Sequence, residues 1–492
     1  MNRVLSSLTQ PATVTLLALS IGGCVTSPAP KNPELTSPEA AIQARAEAIR
    51  TQPGLSDRAA PSEWWTLFGD TTLTELERNA LSTNLDLLTA IARIDESRAQ
   101  LGLVDAARRP QLSASTGYTR SAISEHSPDA LLGAPTEASS TWKLGLQAGW
   151  ELDLWGHLRH QNESANAQLQ ATTWGMEDVK VSVAGDVART YLLLRGTQAQ
   201  IRIVDDNRRI ALNLVHLTES RQRNGVATRY DVAAAHADVA SIEARLAQLG
   251  QQRDALMNAL ALLLGQPPRE LNTTLGNAAM PAMPLQLPVG IPSDLARNRP
   301  DILQADAHLR AAVADIGAAK ADFYPRISLT GNIGVQAFEF SDLGSWSSRT
   351  FSVGPALYLP IFQGGRLKSN LELSEARHRM AGIAYQQTVL RAWHEVDDAL
   401  NAYTTELKRH EQLQLAVEQN RTALDVANRS YQQGTVDFTS VLVARRTLLA
   451  SQSDLTDCIT ASSLSVVSLY RALGGGWSPA LRSSLPGTGG AS

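Results

Sequence analysis

The sequence predicts a membrane α+β protein made of two related halves. Three observations carry the prediction: a run of alternating residues too long for a soluble strand, its recurrence in the second half, and two long blocks free of proline. From Ser140 to Trp155 the alternation is strict. Trp142, Leu144, Leu146, Ala148, Trp150, Leu152 and Leu154 fall on one side, with Lys143, Gly145, Gln147, Gly149, Glu151 and Asp153 on the other. Strands in globular proteins usually stop at about 5–6 residues, whereas a tilted strand that crosses a bilayer needs roughly 9–11. Trp142 at one end and Trp150 with Trp155 at the other suit the aromatic girdles that sit at headgroup level.

The same pattern returns at Arg326 to Ala337, where Ile327, Leu329, Gly331, Ile333, Val335 and Ala337 oppose Arg326, Ser328, Thr330, Asn332, Gly334 and Gln336. After a polar loop, Thr350 to Ile361 sets Phe351, Val353, Pro355, Leu357, Leu359 and Ile361 against Ser352, Gly354 and Ala356. A weaker run, Gln111 to Thr119, groups Leu112, Ala114, Thr116 and Tyr118. The expectation is four strands in two hairpins. Four strands cannot close a membrane barrel, for which about eight is the minimum, and an open edge in lipid leaves backbone groups unpaired at several kcal/mol each. Other copies of the chain must complete it.

Proline marks the helical blocks, because a proline inside a helix costs about 3 kcal/mol. None lies between Pro135 and Pro267, and none between Pro360 and Pro479. The first block has apolar series at helical spacing, Val179, Val183, Val187 and Leu194, then Val232, Val239, Ile242, Leu246 and Leu249. One turn signal interrupts each block, Asn224-Gly225 and Gln433-Gly434, so each reads as two long antiparallel helices. A helix of roughly 60 residues reaches about 90 Å. Such helices have no private globular core and need neighbours along their apolar stripes. Upstream, Leu73, Leu76, Ala80, Leu85, Leu88, Ile91 and Ile94 form another helical pattern running to Arg108, and Pro110 ends it.

The halves are an internal duplication. Pro110-Gln111-Leu112-Ser113 matches Pro325-Arg326-Ile327-Ser328, and Gly225-Val226-Ala227-Thr228 matches Gly434-Thr435-Val436-Asp437. Leu264-Gly265 and Leu473-Gly474 match as well, with the turn at one shared offset of 209 residues (434 − 225 and 473 − 264). Between them, Gln266 to Pro292 holds six prolines at 267, 268, 281, 284, 288 and 292 and reads as an irregular strap.

The 492 residues are 43% hydrophobic with net charge −4, too long for one ordinary domain and too weakly charged for a nucleic-acid binder. Met1 to Cys24 carries Arg3, an apolar core Val14 to Ile21 and Gly22-Gly23-Cys24, which reads as an export signal because the apolar run is too short to span. Small residues directly before a cysteine resemble a bacterial lipobox. That resemblance implies cleavage before Cys24, a diacylglycerol on its thiol and an acyl chain on its new amine, with Val25 compatible with outer-membrane sorting. Val25 to Pro61, rich in Pro, Ser, Ala and Thr, fits a tether.

Taken together, Trp64-Trp65, Phe68-Gly69-Asp70, Asn84-Leu85-Asp86-Leu87, Pro292-Ser293-Asp294-Leu295, Arg299-Pro300-Asp301-Ile302, Phe323-Tyr324-Pro325 and Pro360-Ile361-Phe362-Gln363-Gly364-Gly365-Arg366 resemble, in this order, the TolC-like outer-membrane factors, in their lipoprotein branch of the OprM and NodT kind. The resemblance implies a homotrimer with a 12-stranded outer-membrane barrel, continued by a 12-helix periplasmic tunnel with an equatorial region. It also implies passive export of toxic small molecules as the exit duct of a tripartite pump, with a periplasmic adaptor (membrane-fusion) protein and an inner-membrane resistance-nodulation-division transporter as partners. No cofactor is implied beyond the lipid on Cys24. The chain then divides into a signal peptide (1–23), a lipid-anchored strap (24–62), the equatorial and short helices of the first repeat (63–109), a hairpin (110–156) and a helix pair (157–265). A proline-rich strap (266–297), a helix of the second repeat (298–324), a second hairpin (325–363), a second helix pair (364–474) and a tail (475–492) follow.

Catalytic readings fail on spacing. His394-Glu395-Val396-Asp397-Asp398 lacks the second histidine of a zinc helix, and Gly364-Gly365-Arg366-Leu367-Lys368-Ser369 lacks phosphate-loop spacing and reads as a turn entering a helix. His157 and His160 read as solvated helix-start residues, and no activated nucleophile emerges. The helix-turn tips are the functional candidates. Gly225 and Gly434 let the backbone turn with positive φ, and the family resemblance makes Arg223, Gly225, Val226, Gly434 and Thr435 adaptor-docking residues. Relatives carry acids just past these turns. Asp231 fits the first such position, whereas Val443 stands where the second is usual, leaving Asp437 as a partial substitute and Arg445 and Arg446 as cationic partners of a periplasmic gate. Two alternatives stay open: a duct for protein or peptide secretion, and a lipid-anchored coiled-coil rod without a lumen.

Replacing Cys24 with serine should abolish incorporation of labelled palmitate into the mature chain while leaving barrel insertion intact. Unchanged labelling would remove the lipid anchor.

Overall fold

The computed structural model describes residues 54–475 apart from 57, 59, 285 and 290–298. The export signal, Cys24, most of the N-terminal strap, the Pro292-Ser293-Asp294-Leu295 run and the tail after Gly475 lie outside the described residues. Four long strands form one antiparallel sheet in the order β1 (Gln111–Ser121), β2 (Ser139–Leu152), β3 (Arg326–Ala337) and β4 (Arg349–Tyr358). They hold 11, 14, 12 and 10 residues, all long enough to cross a bilayer.

The register shows why alternation was so strict. Ala114, Leu146, Ile333 and Phe351 stand directly opposite one another across the four strands, and the adjacent row is Ser113, Gln147, Asn332 and Ser352. Opposed residues of antiparallel strands share a face. One face is therefore apolar over most of its length and the other polar, with Asn332 Nδ2 donating to Ser352 Oγ at 2.8 Å. On the polar side Gly145 faces Gly334, and a Cβ built on Gly334 would lie 2.5 Å from the Leu144 carbonyl oxygen. The hairpins join here because neither residue has a side chain.

Two strand ends fall short of the sequence expectation. β2 stops at Leu152, and Trp155 turns away to donate its indole N–H to the Pro325 carbonyl at 2.7 Å while stacking on Tyr324. β4 stops at Tyr358, ahead of Pro360, which has no N–H to give a ladder.

The helices are α1 (Thr71–Thr83), α2 (Leu85–Ala106), α3 (His157–Arg223), α4 (Arg229–Leu263), α5 (Pro300–Ala321), α6 (Arg366–Gln432) and α7 (Phe438–Ala472). Both long helices α3 and α6 have 67 residues and both returning helices α4 and α7 have 35, so the duplication is exact in length. Sixty-seven residues span about 100 Å. Among the described residues no helix is long and apolar enough to cross a membrane.

The apolar pattern from Leu73 to Arg108 is divided between two helices. Asn84 leaves the helical region (ψ 127°), accepts the Leu87 N–H to start α2, and donates to the Leu263 carbonyl at 2.8 Å. The break rotates Leu85, Leu88 and Ile91 out to an exposed face.

The main core gathers both halves at mid-length, around Trp64, Tyr191, Leu194, Leu260 and Tyr470. Trp64 stacks on Tyr470 with ring centroids 5.3 Å apart. Asp70 caps α1 through the Leu73 N–H and accepts a 2.8 Å bond from the Tyr191 hydroxyl. Arg299 donates to the Ala472 carbonyl and pairs with Asp301 at 2.8 Å and Glu395 at 2.7 Å. Leu55–Ser56 pairs in parallel with Leu287–Pro288, which lays the two strap segments side by side. Of the motif residues, Trp64, Asp70 and Arg299 are thus ties of this equatorial core.

The histidine reading needs correction at one position. His157 is largely buried, its Nδ1 3.0 Å from Asp322 Oδ1, and Asp322 also holds Arg326 at 2.6 Å. One carboxylate joins the start of α3, the end of α5 and the start of β3, a convergence with no sequence signature.

With this register, Leu146→Arg should destabilise the folded barrel by about 2–4 kcal/mol near the midplane, and Gln147→Arg should be tolerated. Urea titration of the vesicle-inserted protein reads both. Greater damage from Gln147→Arg would mean a register one residue off.

Candidate functional site

The tips farthest from the sheet are built twice from one motif. At the first, Gly225 adopts φ +75° and the Val226 N–H reaches back to the Arg221 carbonyl at 2.8 Å. At the second, Gly434 adopts φ +76° and the Thr435 N–H reaches the Ser430 carbonyl at 2.9 Å. Both close the last helical carbonyls as a left-handed C-terminal turn does, a conformation glycine reaches without a Cβ penalty. The next helix starts at once in each case. Thr228 caps α4 and Asp437 caps α7.

The two caps use the same pair of chemistries in exchanged places. Asp231 Oδ2 accepts both the Thr228 N–H and hydroxyl at 2.8 Å, closing a capping box. In the second tip, Asp437 Oδ1 accepts the Ser440 N–H at 2.9 Å and its hydroxyl at 2.6 Å, and these bonds hold the Asp437 carboxyl below its ordinary range. Both acids expected at a gate are therefore spent on helix starts. Arg223, Gly225, Val226, Gly434 and Thr435 are exposed at the tips.

The expected arginine partners are engaged elsewhere. Arg445 Nη2 lies 3.2 Å from Asp238 Oδ2 and donates to the Asn207 carbonyl at 3.1 Å, while Arg446 Nε lies 3.2 Å from Asp238 Oδ1. Asp238 on α4, Arg445 on α7 and Asn207 on α3 are all buried, whereas Arg446 is exposed. Burial pushes the Arg445 guanidinium down from its ordinary value and the Asp238 carboxylate pulls it back up. A buried arginine at a carboxylate still carries its charge. Asp238 and Arg445 sit two to three turns into their helices, and the cluster joins one helix pair to the other.

Below it lies a small core of all four long helices, with Val215, Val239, Tyr431, Phe438 and Val441. Tyr431 and Phe438 rings are 5.7 Å apart, and the Arg221 guanidinium lies over Tyr431 at 4.5 Å. Sequence reasoning missed Asp238, Asn207, Arg221 and Tyr431. Asp238 lies seven residues past Asp231, two helical turns along one face, and that spacing was its one local signal.

Glu395, the carboxylate of the discarded zinc motif, is occupied by Arg299. Gly364 and Gly365 both adopt positive φ immediately before α6, as a turn entering a helix requires.

A long helical body carrying an amphipathic strand sheet is matched throughout by one group of known proteins. The outer membrane efflux protein family matches residues 76–266 and 291–475. Outer membrane protein OprJ of Pseudomonas aeruginosa is 32% identical over 467 residues, covering 94% of this chain and 95% of its own. The toluene efflux pump outer membrane protein TtgI of Pseudomonas putida is 32% identical over 470 residues, covering 94% and 97%. The solved outer-membrane channel OprN superposes with a TM-score of 0.85 at 32% identity, over 92% of this chain and all of its own. The chain belongs to the outer membrane efflux protein family, and with it to the TolC-like transport channels of the bacterial outer membrane, which are not enzymes.

Proposed function

We propose that the chain is the exit duct of a tripartite efflux pump, a homotrimer that carries drugs, solvents or other toxic small molecules from periplasm to exterior. The supporting observation is the sheet: it has one face apolar up to its loop end, one polar face and two unpaired edge strands, β1 and β4. Three copies supply 3 × 4 = 12 strands and, from α3, α4, α6 and α7, 3 × 4 = 12 helices. The polar face then lines a water-filled lumen. Lipid on Cys24 anchors the strap, and the exposed tips at Arg223, Gly225, Val226, Gly434 and Thr435 receive the periplasmic adaptor of an inner-membrane resistance-nodulation-division transporter. A toluene pump component and a cation efflux component among the relatives support small-molecule cargo.

Removing the chain from its host, pump and adaptor intact, should raise sensitivity to lipophilic drugs or solvents several-fold. Unchanged tolerance together with a lost secreted protein overturns the small-molecule reading in favour of secretion.

The closed end of this duct is held by the Asp238 cluster. Asp231 is held at the start of its own helix by the capping box. Removing Asp238 leaves Arg445 buried without its carboxylate, which costs about 3–5 kcal/mol in comparable pairs, whereas the loss of a helix cap costs about 1 kcal/mol. Asp238→Ala, or Arg445→Ala combined with Arg446→Ala, should therefore raise single-channel conductance in planar bilayers and admit large antibiotics; Asp231→Ala should do so less. Wild-type conductance in both of the first two variants would leave closure to apolar packing alone.

A further inference from the structure

The apolar face of the sheet carries charge at one end only. Across all four strands its members are Leu112, Ala114, Thr116, Tyr118 and Arg120 on β1, and the even positions Ser140 to Leu152 on β2. β3 adds Ile327 to Ala337 at odd positions, and β4 adds Arg349, Phe351, Val353, Pro355 and Leu357. The two charged residues on this face are both arginines, and both stand at the loop end, away from the helices. No acid shares the face with them.

Side-chain contacts place these arginines in an aromatic collar. Tyr118 and Trp142 rings lie 4.4 Å apart, and Phe340 meets Trp142 at 5.2 Å. The Tyr118 hydroxyl and Arg120 Nη1 both approach Ser140 Oγ, at 3.2 and 3.5 Å. Arg349 stacks its guanidinium 4.0 Å over the ring of Trp346, which is 79% exposed, and donates Nη1 to the Trp346 carbonyl at 2.8 Å. Neither arginine forms an ion pair among the described residues. A guanidinium has five N–H donors, so most of those on both residues point to the surroundings.

We infer that the outer rim of each seam between copies is a binding site for a phosphorylated outer-leaflet lipid, formed by Arg349 of one copy and Arg120 of the next. This rests on the reading of the sheet as part of a closed outer-membrane barrel with its hairpin loops outside. β1 and β4 are the edge strands, so closure in chain order sets β4 of each copy beside β1 of its neighbour. Strands pair about 4.8 Å apart. The two arginines then flank one seam, and the trimer has three such sites.

The occupant follows from the chemistry. A lipid-facing arginine costs about 2–4 kcal/mol at the bilayer midplane but about 0–1 near the interface, so these side chains belong at headgroup depth. Aromatic rings at the same level bind the boundary between acyl chain and headgroup. A planar guanidinium matches a phosphomonoester with two parallel hydrogen bonds, and cation stacking on Trp346 fixes the Arg349 plane in advance. Two cations without an acid favour a lipid with phosphomonoester groups over a zwitterionic one.

Native mass spectrometry of the purified full-length trimer tests the site, with diphosphorylated lipid A, dephosphorylated lipid A and phosphatidylcholine as probes. The wild type should retain up to three diphosphorylated lipids and few of the others. Arg120→Gln combined with Arg349→Gln should weaken retention at least about tenfold, the scale of a lost charge-assisted hydrogen bond. Lys143→Gln on the polar face should leave it unchanged. Retention by the double variant equal to wild type, equal binding of the dephosphorylated lipid, or displacement by millimolar inorganic phosphate overturns the lipid site. Single-channel recording separates this from the barrel reading: the double variant should form wild-type channels, and a wild type that forms none removes the barrel itself.

Discussion

A strand inside hydrocarbon has no water to satisfy its backbone, and that constraint governs the arrangement of this chain. β1 and β4 each present an unpaired edge, and in the proposed trimer the sheet is one arc of a larger ring. Everything on the sheet serves that closure. Rows of opposed apolar residues give one oily surface, the intervening rows are polar, and the Gly145–Gly334 contact lets the two hairpins of one copy approach on the polar side. In the proposed barrel the residues outside the oily surface need not be large, because they would share a narrow interior.

Below the sheet the problem changes from pairing edges to covering stripes. Helices of about 100 Å bury too little per residue to stand alone, and the chain concentrates its packing in two places. The equatorial core joins both repeats through Trp64, Tyr191 and Tyr470, with Arg299 crossing from the start of α5 to the end of α7. Glu77 lies fully buried there, and burial raises its pKa well above the ordinary value, with the Ala188 backbone pulling it partly back down. A carboxyl held neutral in an apolar core is the less costly of its two states. The second place is the tip core, where Tyr431 and Phe438 fill the space between helix pairs.

Duplication explains the symmetry of the tips and also exposes where they diverge. Both turns use glycine at positive φ, and both returning helices start on an oxygen-bearing cap. The Asp238–Arg445–Arg446 cluster has no counterpart by internal symmetry, since it joins the first repeat's α4 to the second repeat's α7. Exposed ion pairs such as Arg98–Asp95 contribute little against solvent screening. A buried pair between different helices fixes their relative position, and its desolvation makes the loss of either partner costly.

The sequence by itself determined the elements and their repetition. Two-residue alternation is a local property, so all four strands, their apolar and polar faces and their pairing into hairpins were legible, as were the proline-free helix pairs and the glycine turns between them. The failures were of another kind. Where α1 and α2 separate depends on Asn84 reaching the Leu263 carbonyl, and His157 is removed from solvent by Asp322, far away in the chain. Arg445 and Arg446 were recognised as cations, but their partner was assigned to Asp231, which is nearer the turn, instead of Asp238, which faces them across the helix pair. A helix presents its charges all around a cylinder, and only the rotation of one long helix against another decides which carboxylate meets which guanidinium. That rotation is set by packing at the equatorial and tip cores, contacts between residues distant in sequence, and so it belongs to the tertiary structure alone.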